Sequence, residues 1–129
     1  MKEFIVWQRV EAGLVFILAL ALFGQAGGGL TWWMAVLLFF APDLSFAFYG
    51  LGRKAGALAY NLVHTYALGL VLFALGLSLS HPLSAALGAL WLAHAGFDRM
   101  LGYGLKSSEG FSVTHLGMVG RKAKDRPPA

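Results

Sequence analysis

The sequence predicts an all-α integral membrane protein, a four-helix bundle with short loops over residues 1–105, followed by a basic cytoplasmic tail over 106–129. Three observations carry that prediction. Hydrophobic residues make up 58% of the chain and charged residues 12%, too few to cover a soluble domain of 129 residues. The apolar residues form long runs, each close to the roughly 20 residues that cross a bilayer as a helix. Lys and Arg collect at alternate ends of those runs.

The first run extends from about Phe4 to Phe23 and ends in the glycine-rich stretch Gly24–Gly29. Lys2 is followed by Glu3, and no small-residue cleavage site follows the run, so it reads as a retained span and not as a signal peptide. The second run, "LTWWMAVLLFFAPDLSFAFYG", covers about Leu30 to Gly50. The third covers about Ala55 to Leu79, after the break "LGRKAG". The fourth covers about Pro82 to Leu105, with Pro82 suited to a first helical turn, where its missing N–H would be unpaired anyway. The tail from Lys106 is polar and closes in "RKAKDRPPA".

Charge gives an orientation. Lys2 and Arg9 precede the first span, Arg53 and Lys54 separate the second and third, and Lys106, Arg121, Lys122, Lys124 and Arg126 follow the fourth. The other two turns carry neither Lys nor Arg. Excess Lys and Arg stay cytoplasmic, so both termini are expected inside. Trp32 and Trp33 then lie near the outer interface. The basic balance sits at segment ends and does not argue for nucleic acid. The absence of cysteine excludes disulfides and thiolate metal sites.

With that orientation, the ionisable groups of separate spans share one depth. Glu11, Asp43, Asn61, His64, His94 and Asp98 all fall in the cytoplasmic half, about two to three turns from the inner ends of spans two to four. An Asp in mid-bilayer costs roughly 2.5–3.5 kcal/mol on insertion scales, so a common level suggests that these groups satisfy one another inside the bundle. His94 and Asp98 stand four apart and project from one helix face. Pro42 removes a backbone donor beside Asp43 and can turn that carboxylate inward. Two imidazoles and two carboxylates form a ligand set for a divalent metal, zinc or a harder transition ion. The competing reading is a hydrogen-bond and ion-pair network in which Asp98 pairs with Arg99 or His64. A third places a haem between His64 and His94.

Around this set, Asn61, Tyr60 and Arg99 are candidate substrate or supporting groups. Arg99 either snorkels to the interface or meets a phosphate. Glu11 reads first as an ion pair with Arg9 and otherwise as a general base or further ligand. His115, in "FSVTHLG", reads as a surface residue unless the tail folds back over the site, and His81 as a loop residue. Gly52, Gly56, Gly96, Gly102 and Gly104 suit close helix approach.

The blocks "WWMAVLLFFAPDLS", "GALAYNLVHTYALG", "WLAHAGFDRMLGYGLK" and "FSVTHLG" resemble the signature blocks of the small bacterial membrane family catalogued as domain of unknown function 4260, in matching order from about Arg9 to Gly120. That resemblance implies a four-span inner-membrane protein and no activity. A more distant likeness is to inner-membrane metal-dependent hydrolases, through Pro42-Asp43, His64-Thr65, His94 with Asp98, and Gly102. Where that pattern has a second Asp, this chain has Ser45; its His-Arg pair is met only by Arg53-Lys54, and its Thr-His order is reversed. With those departures, what the likeness implies is a single-ion site.

The expectation is therefore an integral membrane, metal-dependent hydrolase of a phosphoester or lipid-like substrate at the inner leaflet. Asp43, His64, His94 and Asp98 are its metal ligands, and Glu11, Asn61 and Arg99 its catalytic candidates. Arg99 and Lys106 could hold an anionic headgroup. The alternative is a non-enzymatic scaffold or accessory subunit with a structural polar cluster. Haem carriage and transport rank below both. The chain shows no inverted repeat, and transport through so few spans would need a homo-oligomer.

Overall fold

The computed structural model describes residues 2–118. The architecture is all-α, with helices α1 (Lys2–Ala26), α2 (Trp32–Phe39), α3 (Arg53–His64), α4 (Tyr66–Ser78) and α5 (Pro82–Leu101), and a 3₁₀ helix over Ala41–Leu51 between α2 and α3. Helix α1 is apolar on every side. It buries Ala12 and Ala19, while Trp7, Leu14, Ile17 and Leu18 are each more than half exposed. Such a surface is stable against lipid and not against water. Residues Gly27, Gly28 and Gly29 all take positive φ, which only glycine adopts without strain, and they reverse the chain into α2.

Two helices, Lys2–Ala26 and the α2–3₁₀ unit Trp32–Leu51, are long and apolar enough to cross a membrane. The pair α3–α4, bent by 45°, makes a third if counted as one span. Helix α5, the expected fourth span, is not among them, because His94, Asp98 and Arg99 fall within it. It is instead the most enclosed helix, with ten buried residues from Ala85 to Gly96. It lies between α1 and α4. Small residues permit this. A Cβ on Gly96 would stand 2.9 Å from the Ala12 carbonyl oxygen and the Phe16 nitrogen of α1. A Cβ on Gly69 of α4 would stand 2.6 Å from the Leu92 nitrogen of α5. Backbones this close pack by van der Waals contact, as bilayer helices must.

The sequence suggests continuous second and third spans, and both are broken. In the second, the α-helix gives way to a 3₁₀ helix one residue before Pro42, whose ring cannot donate to the i−4 ladder. Eleven residues is long for this helix type. In the third, Thr65 is extended (φ −79°, ψ 150°) between α3 and α4, with no Pro or Gly to announce it. The break frees three successive carbonyls, and each finds a donor. The Thr65 hydroxyl donates to Leu62 O at 3.1 Å, the Trp91 indole N–H to Val63 O at 2.5 Å, and Arg99 Nη2 to His64 O at 3.0 Å. Irregular backbone survives in an apolar bundle only when its polar groups are met in this way.

Helix α5 begins as expected at Pro82, but His81 does more than fill a loop, since its Nδ1 accepts from the Ser84 N–H at 3.2 Å and caps the helix. Gly102, left-handed at φ 99°, ends it. Arg9 reaches this end and donates from Nε to Met100 O at 2.8 Å. A cation there complements the helix dipole. Among the described residues Arg9 makes no ion pair with Glu11, the partner its sequence position suggests.

The expected polar tail is partly folded. Residues 106–118 form a three-stranded antiparallel sheet, β1 (Lys106–Ser107), β2 (Gly110–Thr114) and β3 (Gly117–Met118), in the order β1-β2-β3. Lys106 pairs with Thr114, and Val113 with Met118. The sheet rests on α3, where Arg53 Nη1 donates to Glu109 O at 3.0 Å. Arg121, Lys122, Lys124 and Arg126 lie outside the described residues.

Candidate metal centre

Asp43 is carried by the first turn of the 3₁₀ helix, where its N–H donates to Phe40 O at 3.0 Å. His64 is the last residue of α3, just before the break, and His94 and Asp98 lie one turn apart on α5. These four side chains converge. His64 Nε2 is 3.1 Å from His94 Nε2, 3.3 Å from Asp43 Oδ1 and 3.3 Å from Asp98 Oδ2. His94 Nε2 is 3.1 Å from Asp43 Oδ1 and 3.3 Å from Asp98 Oδ2. One ligand atom from each of the four lies within 4.8 Å of all the others.

Hydrogen bonding fixes one tautomer. His64 Nδ1 is 2.8 Å from the Tyr60 carbonyl oxygen, which can only accept, so Nδ1 carries a proton and Nε2 is the ring atom turned toward the other three groups. The Tyr60 ring stacks on His64 with centroids 3.8 Å apart. Phe39 meets His94 edge-on at 5.2 Å. These contacts hold both imidazoles in place. His94 Nδ1 is buried without a partner among the described residues.

Five contacts of 3.1–3.3 Å draw two imidazoles and two carboxylates around one point, where either a cation or a shared imidazole proton would offset the carboxylate charge. Nitrogen and oxygen bonds of 2.0–2.1 Å to a tetrahedral ion place neighbouring ligand atoms about 3.3 Å apart; five of the six separations lie at 3.1–3.3 Å, and the sixth, between Asp43 and Asp98, is within 4.8 Å. The side chains of His64 and His94 are 3% and 0% exposed and Asp98 is 16% exposed, whereas Asp43 is 36% exposed, so the centre opens at Asp43. With the two Nε2 atoms 3.1 Å apart, the rings as placed leave no room for a macrocycle between them.

The other expected residues surround this group. Arg99 binds the backbone of a ligand residue through His64 O and lies over the Tyr66 ring at 4.6 Å. Asn61 uses both ends of its amide on one strand residue: Nδ2 donates to Lys106 O at 2.8 Å, and Oδ1 accepts from Lys106 N at 2.7 Å. That clamp puts the Lys106 ammonium, on a residue only 6% exposed, over the Tyr60 ring at 4.9 Å. Burial lowers the Lys106 pKa, and the Asp98 charge works against that shift. Glu11 is exposed on α1, outside the four-residue group. His115 folds back, as its Nδ1 accepts from Leu105 N–H at 2.9 Å. Trp91 was not singled out in the sequence, although it stands one turn before His94 and shares that face.

Asn61→Leu is expected to release β1 while leaving the helices in place. Two hydrogen bonds are lost, about 1–2 kcal/mol. Hydrogen exchange at residues 106–114 should rise by about tenfold, with α5 unchanged.

A family model described as a domain of unknown function, DUF4260, matches residues 5–119. The chain belongs to that family. No curated protein and no solved structure matches it. The match spans Asp43, His64, His94 and Asp98, both breaks and the small sheet, so the family's shared region contains the whole His–Asp cluster.

Proposed function

We propose that the chain is an integral membrane hydrolase that uses one divalent ion, zinc or a harder transition metal, on a phosphoester or lipid-like substrate at the inner leaflet of a bacterial cytoplasmic membrane. Both termini lie on the cytoplasmic side in this reading, because Lys and Arg gather at those ends of the helices. The observation that supports it best is that five of the six separations within the His–Asp cluster are 3.1–3.3 Å, near the edge length of a metal tetrahedron.

The bound ion would lower the pKa of a water and polarise a phosphoryl oxygen. Asp43, the accessible ligand, faces the side from which water and substrate arrive. Attack of the water oxygen on phosphorus would break the phosphorus–oxygen ester bond, and the Asp43 carboxylate would take the water proton and pass it to the departing alkoxide. His64 and His94, closed off from solvent, hold position. Arg99 and Asn61 act as positioning residues, one on the His64 backbone and the other on Lys106, whose ammonium would attract an anionic headgroup.

The second reading, a structural polar network in a scaffold or accessory subunit, draws on the same four His–Asp contacts at ion-pair distance. Elemental analysis of the detergent-purified protein separates the two. About one divalent ion per chain is expected, with phosphatase or phospholipase turnover that stops on chelation and returns with added metal. Protein that stays metal-free after incubation with zinc, manganese and iron would end the hydrolase reading.

A further inference from the structure

A cavity of about 420 Å³ opens beside the centre, between the 3₁₀ helix, the α3–α4 break and α5. Its walls are chain neighbours of three ligands. Pro42 and Leu44 flank Asp43, Val63 precedes His64, and Trp91 lies one turn before His94; Leu87 extends the wall along α5. The cavity therefore adjoins, along the chain, the segments that carry Asp43, His64 and His94, while none of the four side chains lines it. Its volume falls within the range of small-molecule sites, and its lining is almost wholly apolar.

Two residues with polar side-chain atoms, Trp91 and Ser45, belong to that lining, and the Trp91 indole N–H is already taken by Val63 O. Ser45 is 8% exposed, and its hydroxyl has no hydrogen-bond partner among the described residues. A buried hydroxyl without a partner costs about 1–3 kcal/mol. A groove that only faced bilayer chains would gain nothing from it, whereas a ligand oxygen at that position would satisfy it. Ser45 stands two residues from Asp43, where the polar end of a ligand meets its apolar body.

We propose that this cavity seats the alkyl chain of a single-chain phosphoester, with the Ser45 hydroxyl bound to the oxygen that joins chain to head group. The inference rests on the hydrolase reading for the head group's destination, but chain binding can be tested without turnover. The probe is a twelve-carbon alkyl phosphate carrying a diazirine at the chain end, applied to the full-length protein in a non-ionic detergent. Crosslinks are expected on Leu72, Leu87 and Trp91. Unlabelled dodecyl phosphate should reduce them at least tenfold, and a twelve-carbon detergent without phosphate should not.

Leu87→Trp, which fills the cavity, should cut labelling about tenfold, and Leu72→Phe is the milder second variant should Leu87→Trp fail to purify. Ser45→Ala should weaken competition by dodecyl phosphate several-fold. Equal displacement by phosphate and phosphate-free twelve-carbon competitors, or label spread over the exposed face of α1, would overturn the proposal. Specific labelling in a protein that neither holds metal nor turns over would leave the chain seat standing and remove the hydrolase reading; metal-dependent turnover with diffuse labelling would do the reverse.

Discussion

His94→Ala is expected to empty the metal centre, lowering bound ion at least tenfold and abolishing metal-dependent turnover. His94 is fully buried, and its Nε2 lies 3.1–3.3 Å from Asp43, His64 and Asp98. Partners that only orient ligands already account for 10–100-fold in affinity, so loss of a ligand should exceed that range. His64→Ala should behave alike, since the two rings contribute equivalent nitrogens. Thermal unfolding with and without zinc gives the second readout. Ligand at 100 times its Kd stabilises by about 2.7 kcal/mol; the native protein should show a gain of that order and His94→Ala none. The scaffold reading predicts otherwise for His94→Leu combined with Asp98→Leu: stability kept or raised, because apolar replacement of a buried ion pair is often neutral or favourable, and no zinc response in the native protein either.

Gly69→Val is expected to disrupt the bundle, at a cost of about 3 kcal/mol, the upper end of ordinary overpacking. The new Cβ would lie 2.6 Å from the Leu92 nitrogen and 2.9 Å from the Gly88 carbonyl oxygen, both backbone atoms that cannot rotate aside. Helix α4 would have to move off α5, and Arg99 and Trp91 would then lose the carbonyls they satisfy at the break. The variant should melt well below the native protein and lose its metal with its packing. Gly24→Ala is the control. Nothing lies within 4 Å of a Cβ at Gly24, inside α1. There alanine should be neutral or stabilise by up to about 1 kcal/mol through helix propensity. Comparable losses in the two variants would refute the packing argument.

The helices were legible because lipid-facing segments need apolar residues at every position, a signal that depends on composition and not on partners. The convergence of Asp43, His64, His94 and Asp98 was legible because these groups are costly in apolar surroundings and fall at one depth. The break at Thr65 was not legible, because its stability comes from Trp91 and Arg99, distant in sequence. Pro42 hinted at a disturbance but could not specify a 3₁₀ helix. The central place of α5 was hidden by its own polar residues, which make it the least apolar of the expected spans. The small sheet had only the alternation Phe111-Ser112-Val113-Thr114 to signal it, over too few residues to stand apart from a polar tail. The cavity beside Asp43 depends on both breaks at once, and no local pattern encodes it.

Helix α5 supplies His94 and Asp98 together with the Trp91 and Arg99 donors that close the break before α4. A slide of α5 by a single turn would unlatch every one of these links in the same instant. Cation release, loss of the bend and change in the indole environment therefore belong to one cooperative event, and on heating the three signals should share a single midpoint.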